Sequence, residues 1–188
     1  LRTKSAPGFL VNRTLSPYMD EAMRLMEEGV APVEIDRVAR KFGMPMGPVE
    51  LADTVGLDVC LDVGEVLGQA FGGEPSQLLQ SQVDRRRLGR KTNAGFYDYK
   101  KGKIIRNSGK GKPLPDSEIC DRMVLRLLNE AVACWREQIV ADSDLIDVAM
   151  VFGVGFAPFR GGPFNYARNR GVIEIISRLR ELEVRLGG

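Results

Sequence analysis

Apolar residues recur at helical spacing along almost all of the 188-residue chain. Leu15, Tyr18, Met19, Ala22, Met23, Leu25 and Met26 fall on one helix face, so a helix is expected from about Val11 to Gly29. Pro17 lies inside it and removes the hydrogen bond to the Arg13 carbonyl, which predicts a kink in the first turns. Pro32 suits a first helical position and opens a second helix through Ile35, Val38, Ala39 and Phe42, closed by Gly43. Pro48 opens a short helix to about Val55, another covers Leu57 to Phe71, and Pro75 starts a further one ending at Gly89. The pattern then changes to alternation over Gly95–Tyr99. Lys101-Gly102 separates this run from Ile104-Ile105, which predicts a small β-hairpin. Asn107–Pro113 reads as linker. Beyond it, Ser117 is expected to cap a long helix through Met123, Leu127 and Trp135 to Ile139, and Ser143 to cap one ending at Gly153. A Gly/Pro-rich loop from Val154 to Gly162, a short helix from Pro163 to Gly171 and a last helix from Val172 to Leu186 complete the chain.

Part of this order occurs twice. Asn12-Arg13 and Glu21-Ala22 answer, at one constant offset, to Asp121-Arg122 and Glu130-Ala131. Ile35-Asp36 and Phe42-Gly43 answer to Ile146-Asp147 and Phe152-Gly153. Gly47-Pro48, Ala52 and Gly56 match Gly162-Pro163, Ala167 and Gly171 at identical spacing. The expected fold is therefore all-α: two tandem related helical domains, residues 6–99 and 116–187, joined by a basic connector over 100–115 that includes the small hairpin. The two are expected to pack about an approximate two-fold axis as a pseudo-dimer. The apolar faces of Leu15–Met26 and Met123–Trp135 should supply most of the contact, each large buried side chain contributing ~1.5–3 kcal/mol.

Charge changes this picture. The net charge is only +2, yet Arg85–Lys112 holds eleven basic residues against one acid, Asp98, while the remainder holds sixteen against twenty-four. Phe96, Tyr97 and Tyr99 within that segment raise a nucleic-acid surface as one reading. A solvated connector facing the chain's own acidic helices is the simpler alternative. No apolar run reaches the ~20 residues that a membrane-spanning helix needs. The chain opens on Leu1-Arg2-Thr3-Lys4 rather than on Met or an apolar leader, and it is expected to continue from a longer polypeptide.

The candidate chemistry is narrow. There is no histidine, which excludes a Ser-His-Asp triad, a Cys-His pair, a His-bound zinc and an imidazole base. Cys60, Cys120 and Cys134 sit on apolar stretches and read as buried free thiols, consistent with a reducing compartment. Gly89–Gly95 lacks the order of a phosphate-binding loop, and no Gly-rich turn follows a strand, so no dinucleotide-binding fold is encoded. Neither catalytic residues nor a cofactor or metal site are expected here. Asn12, near a helix start, either caps that helix or offers an amide to a ligand carbonyl. Gly47-Pro48 and Gly162-Pro163 have a structural account in turn and helix initiation. Glu50, Asp53, Asn165 and Arg168 read as solvated or capping groups.

Pro7-Gly8-Phe9-Leu10-Val11-Asn12-Arg13, Pro17, Glu21-Ala22 and the run Met46–Asp58 closely resemble the C-terminal domain of the L-3-hydroxyacyl-CoA dehydrogenases. Leu88–Tyr99 is similar to that family's LG-K-G-GFY-Y signature. The second copy, with Phe152–Phe156 and Gly161-Gly162-Pro163, is similar to the multifunctional α-subunits of fatty-acid oxidation complexes. Ala157 stands where relatives often have Pro. The resemblance implies helical domains like the C-terminal part of 6-phosphogluconate dehydrogenase. It also implies NAD and a catalytic His–Glu pair held by an N-terminal Rossmann domain that this sequence does not contain. By the same resemblance the substrate is a 3-hydroxyacyl-CoA or 3-ketoacyl-CoA, contacted by Asn12, Met46, Gly47 and Pro48. The implied partners are the chain's own Rossmann and enoyl-CoA hydratase domains and a thiolase subunit. The implied setting is a bacterial-type cytoplasmic β-oxidation enzyme, with mitochondrial or peroxisomal relatives left open. A non-catalytic helical scaffold is the alternative reading, and nucleic-acid binding a third.

Overall fold

The computed structural model describes residues 3–4, 6–105 and 111–187. Helices α1 (Val11–Glu27), α2 (Pro32–Phe42), α3 (Pro48–Val55), α4 (Leu57–Phe71) and α5 (Gln77–Asp84) precede strands β1 (Asp98–Lys100) and β2 (Lys103–Ile105). Helices α6 (Asp116–Arg136), α7 (Ser143–Val154), α8 (Pro163–Arg170) and α9 (Val172–Leu186) follow. The β-strands pair antiparallel with Tyr99 opposite Ile104, as the alternation predicts. This hairpin straddles the boundary expected at residue 99, and Asn107–Lys110 of the expected linker lie outside the described residues.

Three helix starts differ from expectation, each for a local reason. Helix α5 begins after Pro75, because the Ser76 hydroxyl accepts from the Leu78 and Leu79 amides, and it ends at Asp84 rather than Gly89. Ser117 lies inside α6, whose cap position is Pro115. Helix α7 is capped one residue earlier than expected, by Asp142, whose carboxylate accepts from the Asp144 amide. Among the described residues no helix is long and apolar enough to cross a membrane.

Helices α1 and α6 pack antiparallel and make the most extensive helix–helix contact among the described residues. Their middle is apolar, with Tyr18, Ala22 and Leu25 in one core cluster with Met123, Val124 and Leu127. Their ends are ionic, which the apolar periodicity does not predict. Arg13 donates to Glu130 at 2.6 Å and to both oxygens of Glu137 at 2.6 and 2.9 Å. Arg122 donates to Glu21 at 2.6 Å and to both oxygens of Glu28 at 2.7 and 2.6 Å. Both arginines are buried, and where the glutamate is buried too, as in Arg122–Glu21, removing one partner costs about 3–5 kcal/mol. Trp135 takes no part in this interface core; it is half exposed and meets Phe164 edge-on at 5.8 Å.

The same core runs on through Ile35, Val38 and Phe42 of α2 and Ile146 and Met150 of α7, with Phe42 and Phe156 edge-to-face at 5.5 Å. Two smaller clusters flank it. Met23, Ala52, Leu57, Leu61 and Leu79 form one under α4 and α5, and Leu125, Leu128, Ile175 and Leu182 form the other under α9.

A buried aspartate starts each short helix. Asp36 accepts from the Val49 and Glu50 amides of α3 at 2.9 and 3.0 Å, and Asp147 accepts from the Phe164 and Asn165 amides of α8 at 2.7 and 3.0 Å. A carboxylate at a helix N-terminus satisfies orphan donors and meets the favourable end of the helix dipole. A Cβ on Gly47 would fall 2.2 Å from Asp36, and one on Gly162 would fall 2.4 Å from Asp147. The glycine of each Gly-Pro pair is therefore the space the aspartate needs.

Candidate functional site

The first turn of α1 divides its side chains between two environments. Gly8 at φ +71 and Phe9 at φ +50 bring the chain into the helix in left-handed conformations, and a Cβ on Gly8 would meet Leu67 at 2.9 Å. Leu10 occupies the cap position without a side-chain cap bond. Asn12 is thus not the cap: it lies inside the first turn, and its amide is exposed. Arg13, the next residue, points the other way into α6, with the Phe71 ring 4.2 Å from its guanidinium carbon.

An apolar recess of about 460 Å³ opens beside this turn, between Phe9, Leu10 and Val11 and the residues Val148, Ala149 and Phe152 of α7. Phe9 and Phe152 are 60% and 85% exposed, so two large rings stand in water at its rim. Asn12 follows Val11 in the chain but is not itself one of the residues that line the recess.

Met46, Gly47 and Pro48 lie at the start of α3, which packs on α1. Gly47 and Pro48 are buried, Gly47 against Asp36. Met46 is partly accessible, with its sulfur 3.8 Å from the Thr54 hydroxyl. Among these three the side chain with surface to offer is therefore Met46.

The LG-K-G-GFY-Y segment is held by two carboxylates. Asp53 accepts from the Phe96 and Tyr97 amides at 2.9 Å each and from the Tyr99 hydroxyl at 3.0 Å. The Tyr97 hydroxyl donates to Asp36 at 2.8 Å. Both tyrosines are buried, which counts against the alternative reading in which they stack on bases. Burial pushes the Asp36 carboxyl up to about 6 against its three donors, and it raises Asp53 in the same direction. Part of the basic surface is likewise spent internally: Lys91 meets Asp58 at 2.5 Å, and Arg87 meets Asp98 at 2.9 Å. Glu50 pairs with Arg40, and the Asn165 side chain donates to the Arg160 carbonyl. Cys134 is buried; Cys60 and Cys120 are partly buried, and burial pushes both of these thiols up to about 11.

The second half treats the residue matching Asn12 differently. Asp121 is 7% exposed and receives Arg170 at 2.5 and 3.1 Å and Arg178 at 3.0 Å. The helix pattern alone passes over these pairs, and it also passes over Glu28 and Glu137. The signal was present: Glu28 and Glu137 share the offset that relates Arg13 to Arg122 and Glu21 to Glu130. Among the described residues there is no group of His, Cys, Asp and Glu placed to hold a metal ion. The described strands form one two-stranded antiparallel sheet, which offers no parallel-strand crevice or glycine-rich strand-to-helix turn to fit a dinucleotide.

Residues 8–99 match the 3-hydroxyacyl-CoA dehydrogenase C-terminal domain. The chain is 38% identical to the fatty acid oxidation complex subunit alpha of Idiomarina loihiensis over 98% of its own length and 28% of that protein. It is also 38% identical to the corresponding subunit of Acinetobacter baumannii, over 91% of this chain and 27% of that one. The chain thus spans little more than a quarter of these relatives. Among solved structures, 3-hydroxybutyryl-CoA dehydrogenase from Escherichia coli K12 aligns with all of this chain and 58% of its own, at a TM-score of 0.81 and 26% identity. The dehydrogenase part of multifunctional enzyme 1 from C. elegans aligns over 80% of this chain and 37% of that one, at a TM-score of 0.64 and 29% identity. Through residues 8–99 the chain belongs to the 3-hydroxyacyl-CoA dehydrogenase C-terminal domain family.

Proposed function

We propose that this chain is the substrate-facing and association part of an NAD-dependent 3-hydroxyacyl-CoA dehydrogenase in a multifunctional enzyme of fatty-acid β-oxidation. The observation that carries the reading is that Asn12 is exposed in the first turn of α1, one residue beyond the Phe9–Val11 stretch that lines the recess. In this reading Asn12 donates to a carbonyl or 3-oxygen of the acyl-CoA, and the recess receives apolar surface of the substrate or of the domain that covers it. Met46, partly accessible, is the further side chain this reading assigns to the substrate, while Gly47 packs its loop against Asp36. NAD, which supplies the hydride acceptor, and the acid–base pair belong to a Rossmann domain elsewhere in the longer protein. In this reading the chain contributes orientation, and proton transfer falls to the pair on the Rossmann domain. A hydratase domain, a thiolase subunit as partner and a cytoplasmic setting complete the reading.

The two halves are read as tandem copies of one helical domain, the second replacing a partner subunit. The crossed arginine–glutamate pairs support this, because a contact in which residue i meets j while their equivalents meet in reverse is the mark of a two-fold interface.

The test is NADH production from 3-hydroxyacyl-CoA. The isolated chain should produce none, and the full-length protein should. In the latter, Asn12→Ala should lower kcat/KM by roughly 10- to 1,000-fold with little change in melting temperature. Activity of the isolated chain, or normal turnover by the variant, would refute the respective part of the reading.

A further inference from the structure

We infer that Glu130 and Glu137, carried by α6, are positioning residues for Asn12 and act through Arg13. The inference deepens the reading of Asn12 given above and rests on it.

The first turn of α1 is held both from within and from α6: Leu10 and Thr14 are buried, and the Thr14 hydroxyl donates to the Leu10 carbonyl at 2.6 Å. Its cap residue, Leu10, makes no side-chain bond, and the first amides of any helix lack intrahelical acceptors. The Arg13 side chain is what ties this turn to charged groups of α6. Its Nε donates to Glu130, and Nη1 and Nη2 donate to the two oxygens of Glu137, so three of its five N–H groups are taken along two edges of the plane. Phe71 covers one face at 4.2 Å. A planar guanidinium gripped on its edges and on a face has its orientation set as well as its position. Arg13 follows Asn12 directly, and successive side chains project about 100° apart around a helix. Setting the rotation of α1 at Arg13 therefore sets the direction in which the Asn12 amide leaves the helix.

The molecule contains its own control. Arg122 is gripped by Glu21 and Glu28 in the same manner, but its neighbour Asp121 is already tied to Arg170 and Arg178. Equal chemistry therefore holds a solvent-facing amide at one end and an internally paired carboxylate at the other. Glu137 and Glu28 are 44% and 38% exposed at their side chains, so glutamine is tolerated by the fold at either position.

The experiment compares Glu137→Gln with Glu28→Gln in the full-length protein, with 3-hydroxybutyryl-CoA and NAD as substrates. Both variants should lower the melting temperature by a similar amount. Glu137→Gln should also lower kcat about tenfold with KM changed less than about twofold, because misorientation is felt most in the transition state. Glu28→Gln should keep the parent kcat. Combining Glu137→Gln with Asn12→Ala should add no further loss beyond Asn12→Ala, since the two act through one contact. Equal kcat losses in the two glutamine variants would overturn the inference, as would an unchanged kcat in Glu137→Gln when Asn12→Ala is impaired. Normal turnover by Asn12→Ala would instead overturn the underlying reading, and the inference with it.

Discussion

Arg13 of α1 and Arg122 of α6 are equivalents, each buried against two glutamates of the other helix. The residues that precede them meet opposite surroundings. Asn12 is left in water, whereas Asp121 is enclosed by two arginines from α8 and α9. An aspartate attracts cations, and the second half supplies Arg170 and Arg178. An uncharged amide attracts no such cover and stays available to a ligand. The carboxylate at Asp121, together with Arg170 and Arg178, thus separates a surface that is satisfied internally from one that is open.

Three changes would sharpen or break this contrast. The largest effect is expected on the shared part: Arg122→Ala leaves Glu21, which is 4% exposed, without its main partner, and chemical denaturation should show a loss of about 3–5 kcal/mol. If the loss is below 1 kcal/mol, the crossed pairs are not what holds the helix ends together.

The second concerns pH. Asp36 titrates at about 6 in the folded chain, against about 3.9 unfolded. Between those values the native state keeps a proton that the unfolded chain has lost, so the Asp36 contribution to stability should fall as pH rises from 4 to 6, against the opposite contribution of Glu28 and Glu137. The slope should approach 1.4 kcal/mol per pH unit and level off above 6. Asp36→Asn should flatten that slope, and denaturation curves across the range will show whether it does.

The smallest effects separate the two helix starts directly. Asp121→Asn should cost about 1–3 kcal/mol, because Arg170 and Arg178 lose a charged acceptor in a part-buried site. Asn12→Asp should change stability by less than about 0.5 kcal/mol, as an exposed side chain with no internal partner allows. Equal costs at both positions would erase the distinction drawn between them.

Much of the fold was legible because it depends on local rules. Proline at a first helical position and glycine at an end mark α2 and α3 in the sequence, and Pro48–Val55 agrees with its expected ends. Apolar spacing likewise delimits α4 and α9. What escaped depends on distant partners. Nothing near Asp36 announces that its carboxylate will meet α3 and Tyr97, 13 and 61 residues away. In the basic run Arg85, Arg86, Arg90, Lys100 and Lys101 are exposed, while Lys91 pairs with Asp58, a partner 33 residues away that local pattern does not announce. Of the site, Asn12 was legible as a helix-start amide by position and by resemblance, but its exposure is a consequence of Arg13 turning into α6, 117 residues away. The crossed glutamates were half visible, since repetition relates them while apolar periodicity does not.

The two amides and one hydroxyl that converge on Asp53 also bear on the order of assembly. The turn leading into β1 owes its shape to a side chain more than forty residues earlier in the chain, and that side chain is placed only when α3 is formed. Such contacts close long loops and come late on the way to the native state. The aromatic turn is thus a passive gauge of the helices beneath it: whatever loosens α3 will reach Tyr97 and Tyr99 first as a loss of their burial, before the apolar middle of α1 and α6 lets in water.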